Sequence, residues 1–276
     1  TMRTSGSESV ASAANIFLGQ TEAPLVIKPY LRGMTRSEIM CLMTGGMANV
    51  AGGVLAAYVG FGIDAGHLLA ASVMSAPATM VLAKLLVPET EESETAGHVK
   101  IEVEKTTVNL VDAAAVGTSE GLSLALNVGA MLLAFIALVA MFNAILGSVG
   151  GLFGFPQLSF ELISGYAFAP IAWLLGVPWA DALTVGGFLG KKLIINEFVA
   201  YLDLKEARSL ISERAFVIST YALCGFANLS SIGIQIGGIG ALVPEKRTMI
   251  SRYGMKALLA GTLCTLMTAC IAGMFL

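Results

Sequence analysis

The stretch "DALTVGGFLGKKLIINEFVAYLDL" (181–204) is apolar enough for a membrane but too interrupted to cross one as a single helix. Glycines break its first part, and Asn196 and Glu197 place an amide and a carboxylate near its middle. Divided there, it yields two half-helices of about ten residues, each short of the roughly 20 needed to span a hydrocarbon core. Non-helical backbone at membrane depth is tolerated only where it is buried in protein or lines a cavity. A re-entrant hairpin meets that condition. A carboxylate at its tip then reads as a site residue, because charge at that depth is expensive.

The rest of the chain supports a membrane setting. Its 276 residues are 56% hydrophobic and 13% charged, with a mean hydropathy of +0.79. A soluble domain carries about a quarter charged residues. Apolar runs near the spanning length recur at 38–60, 66–87, 122–147, 214–243 and 254–276. The expected fold is therefore an all-α polytopic membrane protein, surrounded by lipid. A net charge of −3, with no basic patch interleaved with aromatics, gives no reason to expect a nucleic-acid partner. Cys41, Cys224, Cys264 and Cys270 lie in apolar runs without metal-type spacing and read as small buried hydrophobes.

A second stretch, "SVASAANIFLGQTEAPLVIK" (9–28), has the same awkward character and reads as a second re-entrant hairpin. Two of the long runs are themselves interrupted, by "MTGGMANVAGGVLAAY" (43–58) and by "ALCGFANLSSIGIQIGG" (222–238). Glycines alone would suit close helix packing. Asn49 and Asn228, however, need partners in hydrocarbon and favour helices broken for binding.

These pieces recur in order: a hairpin with a tip glutamate, a Ser-Glu pair (Ser37-Glu38, Ser212-Glu213), then Gly-x-Ala-Asn (46–49 and 225–228). Paired interrupted helices in two halves point to a secondary transporter built on an inverted repeat, with its site at the membrane midplane. The expected organisation has a first transport half at 1–87 (hairpin 9–28, broken helix 38–60, helix 66–87). A middle section at 88–178 holds a solvated acidic loop, an interfacial helix at 108–121, a long span at 122–147 and an amphipathic segment. A second transport half at 179–276 holds hairpin 181–204, broken helix 214–243 and helix 254–276. If the hairpins open to opposite sides, eleven of the 16 Lys and Arg lie on the first hairpin's side, as the positive-inside rule asks of the cytoplasmic face. Lys191 and Lys192 then read as snorkelling residues at the hairpin base.

An enzyme using Glu22 and Glu197 as acid and base would need a nucleophile or metal constellation beside them, and the histidines and cysteines supply none. No catalytic residue and no organic cofactor are therefore expected. A passive channel would need a continuous polar stripe, whereas the polar residues cluster at the hairpin tips.

The motifs "GKKLIINEFVAYLDL" (190–204), "GQTEAPLVIKPYL" (19–31) and "GFANLSSIGIQIGG" (225–238) resemble the concentrative nucleoside transporters, over nearly the whole chain and in order. The resemblance implies a cation-coupled nucleoside importer and a homotrimer, and the compact loops suggest a bacterial inner membrane. It also implies about three further spans ahead of the polar opening "TMRTSGSES". Carried over by position, it implies that Gln20, Thr21, Glu22 and Val54 face the nucleobase, and that Glu197, Phe226, Asn228 and Ser231 hold the ribose. It implies a sodium site from Asn15, Leu18, Asn49 and Val50, with Asn49 where the family pattern has serine. Proton coupling through Glu22 is the alternative.

Overall fold

The computed structural model describes residues 4–96 and 107–276. All regular elements among them are helical. The described residues of 1–101 and 164–276 form one compact unit, and those of 102–163 a second.

In the larger unit, α1 (Gly6–Ala14) leads through an irregular segment to the short α2 (Ala23–Val26). There follow α3 (Arg36–Ala48), α4 (Gly52–Gly60) and α5 (Ala65–Leu86). After α7 (Phe160–Leu174), α8 (Trp179–Ile194) packs on α9 (Glu197–Glu206), and α10 (Glu213–Leu223), α11 (Leu229–Leu242) and α12 (Arg247–Met274) complete the chain. Among the described residues, three stretches are long and apolar enough to cross a membrane: Arg36–Gly60, Ala65–Leu86 and Pro244–Met274. The α7–α8 pair also qualifies by length and composition, bent by 118° at its break.

Helix boundaries follow capping chemistry. Thr35 caps α3 in a reciprocal box with Glu38, and Ser212, Asn196 and Asn228 cap α10, α9 and α11. Each supplies a side-chain oxygen to a backbone N–H that has no partner inside its helix. The interruptions expected near Asn49 and Asn228 are both present, at 49–51 and 224–228.

The core is organised around α12, which packs against α3, α5, α10 and α11. In lipid, close van der Waals fit rather than water exclusion holds helices together, so small residues set the crossings. A Cβ added to Gly261 would lie 2.6 Å from the Cβ of Met47 on α3, and one on Gly254 would lie 2.5 Å from Ile232 on α11. Gly225 packs directly on backbone, since a Cβ there would meet the carbonyl oxygens of Met47 and Ala48 at 2.9 Å.

Two features differ from the sequence reading. Part of the acidic segment after α5 is tied down rather than hydrated. Glu89 accepts from Thr35 (2.8 Å) and from Lys84 (3.2 Å), while Ser93 donates to the buried Glu38 (2.6 Å). Lys84 also pairs with the fully buried Glu8 at 2.7 Å, and this internal cation draws in carboxylates that would otherwise repel. The remainder of that loop, 97–106, lies outside the described residues.

In the smaller unit, α6 (Leu110–Leu152) is one helix of 43 residues. It continues across the boundary expected at 121–122 and past the end expected at 147. Ser and Thr within it do not end it: Thr118 and Ser148 return their hydroxyls to the carbonyls four residues back, each at 2.7 Å. Beyond α6, Asn143 bonds Glu161 (2.9 Å) and the N–H of Phe160 (2.8 Å), closing the turn.

Candidate functional site

Glu197 opens α9 immediately after its cap, Asn196, and is 5% exposed. A carboxylate in the first turn of a helix is favoured by the helix dipole. One oxygen accepts from the Tyr58 hydroxyl (3.3 Å) and the other from the Asn228 side-chain nitrogen (3.0 Å). The orientation of Asn228 is dictated locally. Its oxygen already accepts from the Ser231 N–H (2.8 Å) and the Ser230 hydroxyl (2.6 Å), so only its NH₂ group is left to face Glu197. An ionised carboxylate has about four acceptor positions. The backbone N–H of Glu197 itself also engages the carboxylate, which leaves at least one position for a donor from elsewhere.

One turn along α11, Ser231 accepts from Gln20 at 3.1 Å, which joins the segment after α1 to the second broken helix. Gln235, a further turn on, is fully buried and donates to the Met43 carbonyl at 2.9 Å. Gly46 lets these groups converge, because a Cβ there would come within 2.8 Å of both Gln20 and Gln235. The side-chain oxygens of Gln20 and Gln235 are buried with no hydrogen-bond partner. Buried amide oxygens are rarely left so, and a ligand with donors would satisfy them.

A third group gathers at Gly45. Asn49 donates to the Gly45 carbonyl (3.2 Å), and a Cβ on Gly45 would stand 2.7 Å from the Asn15 amide nitrogen. Asn15 and Asn49 are 1% and 2% exposed, and the side-chain oxygens of both lack a partner. Val50 is fully buried, and the carbonyl of Phe17, next to Leu18, accepts from the Gly52 N–H at 2.9 Å. Buried neutral oxygens are the donor type a hard cation takes.

Among the twelve residues singled out in the sequence, the structure thus joins Glu197 to Asn228, Gln20 to Ser231, and Asn15 to Asn49 around Gly45. Phe226 donates its backbone N–H to the Asn49 carbonyl at 3.2 Å, so the two helix breaks touch. Val54 and Phe226 are half-buried against the core that includes Tyr58. Thr21 is half-buried opposite Gly238. Glu22 is exposed, and its side chain makes no hydrogen bond or ion pair among the described residues, although its backbone N–H donates to the Gly19 carbonyl at 3.2 Å.

Three residues escaped the sequence reading. Tyr58 and Gln235 are indistinguishable there from packing residues, although Gln235 on the Ser231 face one turn away was a usable signal. The third is Lys192. It does not snorkel: it is 3% exposed, and its ammonium donates to the Ala222 carbonyl (2.7 Å) and the Thr265 hydroxyl (2.8 Å). Its neighbour Lys191 pairs with Asp203 at 2.6 Å.

Residues 67–273 match the family model described as the Na+ dependent nucleoside transporter C-terminus, and residues 1–65 match one described as nucleoside recognition. The chain belongs to the concentrative nucleoside transporter family. Members of this family are transporters rather than enzymes, and this one is an integral membrane protein.

Among relatives, an uncharacterized transporter, YutK, of Bacillus subtilis is 52% identical over 99% of this chain and 68% of its own. Sodium/nucleoside cotransporter 1 of Mus musculus is 44% identical over 99% of this chain and 45% of its own. The structure of CNTnw in an inward-facing substrate-bound state matches with TM-score 0.93 and 49% identity, covering 99% of this chain and 65% of that one. The chain therefore spans about two-thirds of these bacterial-sized relatives and under half of the mouse transporter.

Proposed function

We propose that the protein carries nucleosides inward by symport with a cation, and that the cation is sodium. The observation that carries this reading is the Glu197–Asn228 pair, a buried carboxylate held in place with acceptor capacity left over. Two vicinal ribose hydroxyls can donate to one such carboxylate, in charge-assisted bonds stronger than neutral ones. The partnerless oxygens of Gln20 and Gln235 lie on the other side of Ser231 and suit the donors of a nucleobase edge, with Thr21 and Val54 beside them. Phe226 offers a flat apolar face. A nucleoside is neutral, so a dry cavity with matched polar groups serves it better than countercharge would.

In this reading α1–α2 and α8–α9 are re-entrant hairpins, α3–α4 and α10–α11 are the broken spans, and the two sets form an inverted repeat. The halves are 1–87 and 179–276, with 88–178 between them. Sodium is held by Asn15, Asn49 and the carbonyls of Leu18 and Val50. The amide of Asn49 supplies an oxygen as a serine hydroxyl would. The partnerless amide oxygens favour sodium over a proton taken up by Glu22, whose side chain is exposed. The working unit is a homotrimer in a bacterial inner membrane.

The test is uptake by the full-length protein in proteoliposomes. Labelled uridine or adenosine should accumulate above its external concentration when sodium is imposed outside. Accumulation that follows a proton gradient and ignores sodium overturns the choice of ion, and equilibration without accumulation overturns symport.

A further inference from the structure

Lys192 is a buried cation without a carboxylate among its hydrogen-bond partners: both acceptors of its ammonium are neutral oxygens. It stands in the last turn of α8, and one acceptor, the Ala222 carbonyl, is in the last turn of α10 just before the break. Carbonyls at a helix end lack an intrahelical donor and carry the negative end of the helix dipole. The neighbouring carbonyls there are otherwise served, Tyr221 by the N–H of Cys224 (3.1 Å) and Leu223 by that of Gly225 (2.8 Å). The second acceptor, Thr265, comes from α12. A cavity of about 20 Å³ beside Lys192, Thr262 and Thr265 is no larger than a water or a small ion.

The first half brings the same kinds of element together and ends differently. Asn15 caps the C-terminus of α1, Gly45 lies in the last turn of α3 before its break, and Thr79 approaches Gly45 from α5. No lysine enters. Instead the side-chain oxygens of Asn15, Asn49 and Thr79 are all buried without a hydrogen-bond partner. One break thus has buried oxygens that lack a cation, and the other has a cation bonded to two of its oxygens, with only the Thr262 hydroxyl beside it left unpartnered.

We propose that Lys192 is a tethered cation, which does for the second break what a bound cation does for the first, so that each chain carries a single coupling-ion site. This rests on the sodium reading above only for the identity of the first ion. A lysine that merely packs would be replaceable by a neutral side chain of similar length. A tethered cation is not, but a free one could take its place. Charge, not shape, is the property at stake.

The experiment uses full-length protein in detergent and measures nucleoside affinity against sodium and methylammonium, together with sodium bound per chain at saturating nucleoside. Wild type should bind one sodium. Lys192→Ala should weaken nucleoside binding about tenfold or more, the loss of a bond to a charged group. Methylammonium should recover part of that loss, or sodium should do so with a Hill coefficient rising from about 1 toward 2, as two sites allow. Lys192→Met should lose affinity similarly, and Lys192→Arg should keep most of it.

Wild-type affinity and sodium dependence in Lys192→Met overturns the proposal. So does a loss in Lys192→Ala that neither cation recovers. If neither variant folds, the wild-type count decides: two sodium ions per chain overturns the proposal and one supports it. A count of zero overturns it as well, because no bound cation then serves the first break and the parallel with Lys192 is gone.

Discussion

The same four-residue pattern, Gly-x-Ala-Asn, ends differently in the two halves. In the first half Asn49 terminates α3 as its C-cap, and the interruption follows it. In the second half Asn228 is the N-cap of α11, and the interruption precedes it. The consequence is chemical. As N-cap, Asn228 has its oxygen committed to the backbone and its NH₂ committed to Glu197, so both ends of this amide are taken. As C-cap, Asn49 turns its NH₂ back to Gly45 and leaves its oxygen free. One half leaves an amide oxygen without a partner, and the other engages both ends of its amide.

The largest effect expected from breaking this contrast is at Glu197. Glu197→Gln in the full-length protein should weaken nucleoside binding by about 1.5–3 kcal/mol, roughly 10- to 150-fold. The penalty should shrink for 2′- or 3′-deoxy analogues that lack the hydroxyl it engages. Gln20→Ala measured in parallel should shift preference between uridine and adenosine and leave sugar discrimination alone. Equal weakening across all sugars in Glu197→Gln would remove the ribose assignment.

Next in size is Asn15→Leu. It removes one partnerless oxygen from the first half and should raise the sodium concentration for half-maximal uptake by about tenfold, the worth of one lost ligand contact. Affinity at saturating sodium should hardly change. A change in sugar or base preference instead would mean that the two halves are not divided by task.

The smallest effect is at Tyr58→Phe. It deletes a long bond of 3.3 Å to a carboxylate that keeps its second partner, so about 1 kcal/mol, or roughly fivefold in affinity, is expected. The ring should remain in place, because it stacks on Tyr201 at 4.1 Å between centroids. Competition binding with uridine reads the change, and a loss as large as that of Glu197→Gln would mean that Tyr58 does more than steady the carboxylate.

Helical class and the two interruptions were legible in the sequence, because mid-membrane polar residues and glycines have few other uses in an apolar chain; Glu197 and Asn228 were brought to one site only by the family resemblance. Lys192 was misread because snorkelling and burial differ only in whether something accepts the ammonium. Its acceptors, Ala222 and Thr265, are 30 and 73 residues away. Tyr58 and Gln235 have partners more than 100 residues distant, beyond the reach of local pattern. The continuity of α6 was hidden for a different reason. Its first turns are more polar than the rest, and polarity marks a change of environment without requiring a change of backbone.

The hydrogen bond from Phe226 to Asn49 has a kinematic consequence. Flexing either interruption by itself would separate that N–H from its acceptor in a dry interior, at a cost of about 1–3 kcal/mol. With Gly225 seated against the carbonyls of Met47 and Ala48, there is also no clearance for one segment to slide across the other. The two interruptions, for all their irregular backbone, are therefore poor hinges. Any large displacement carries them together as a single body and bends the chain elsewhere.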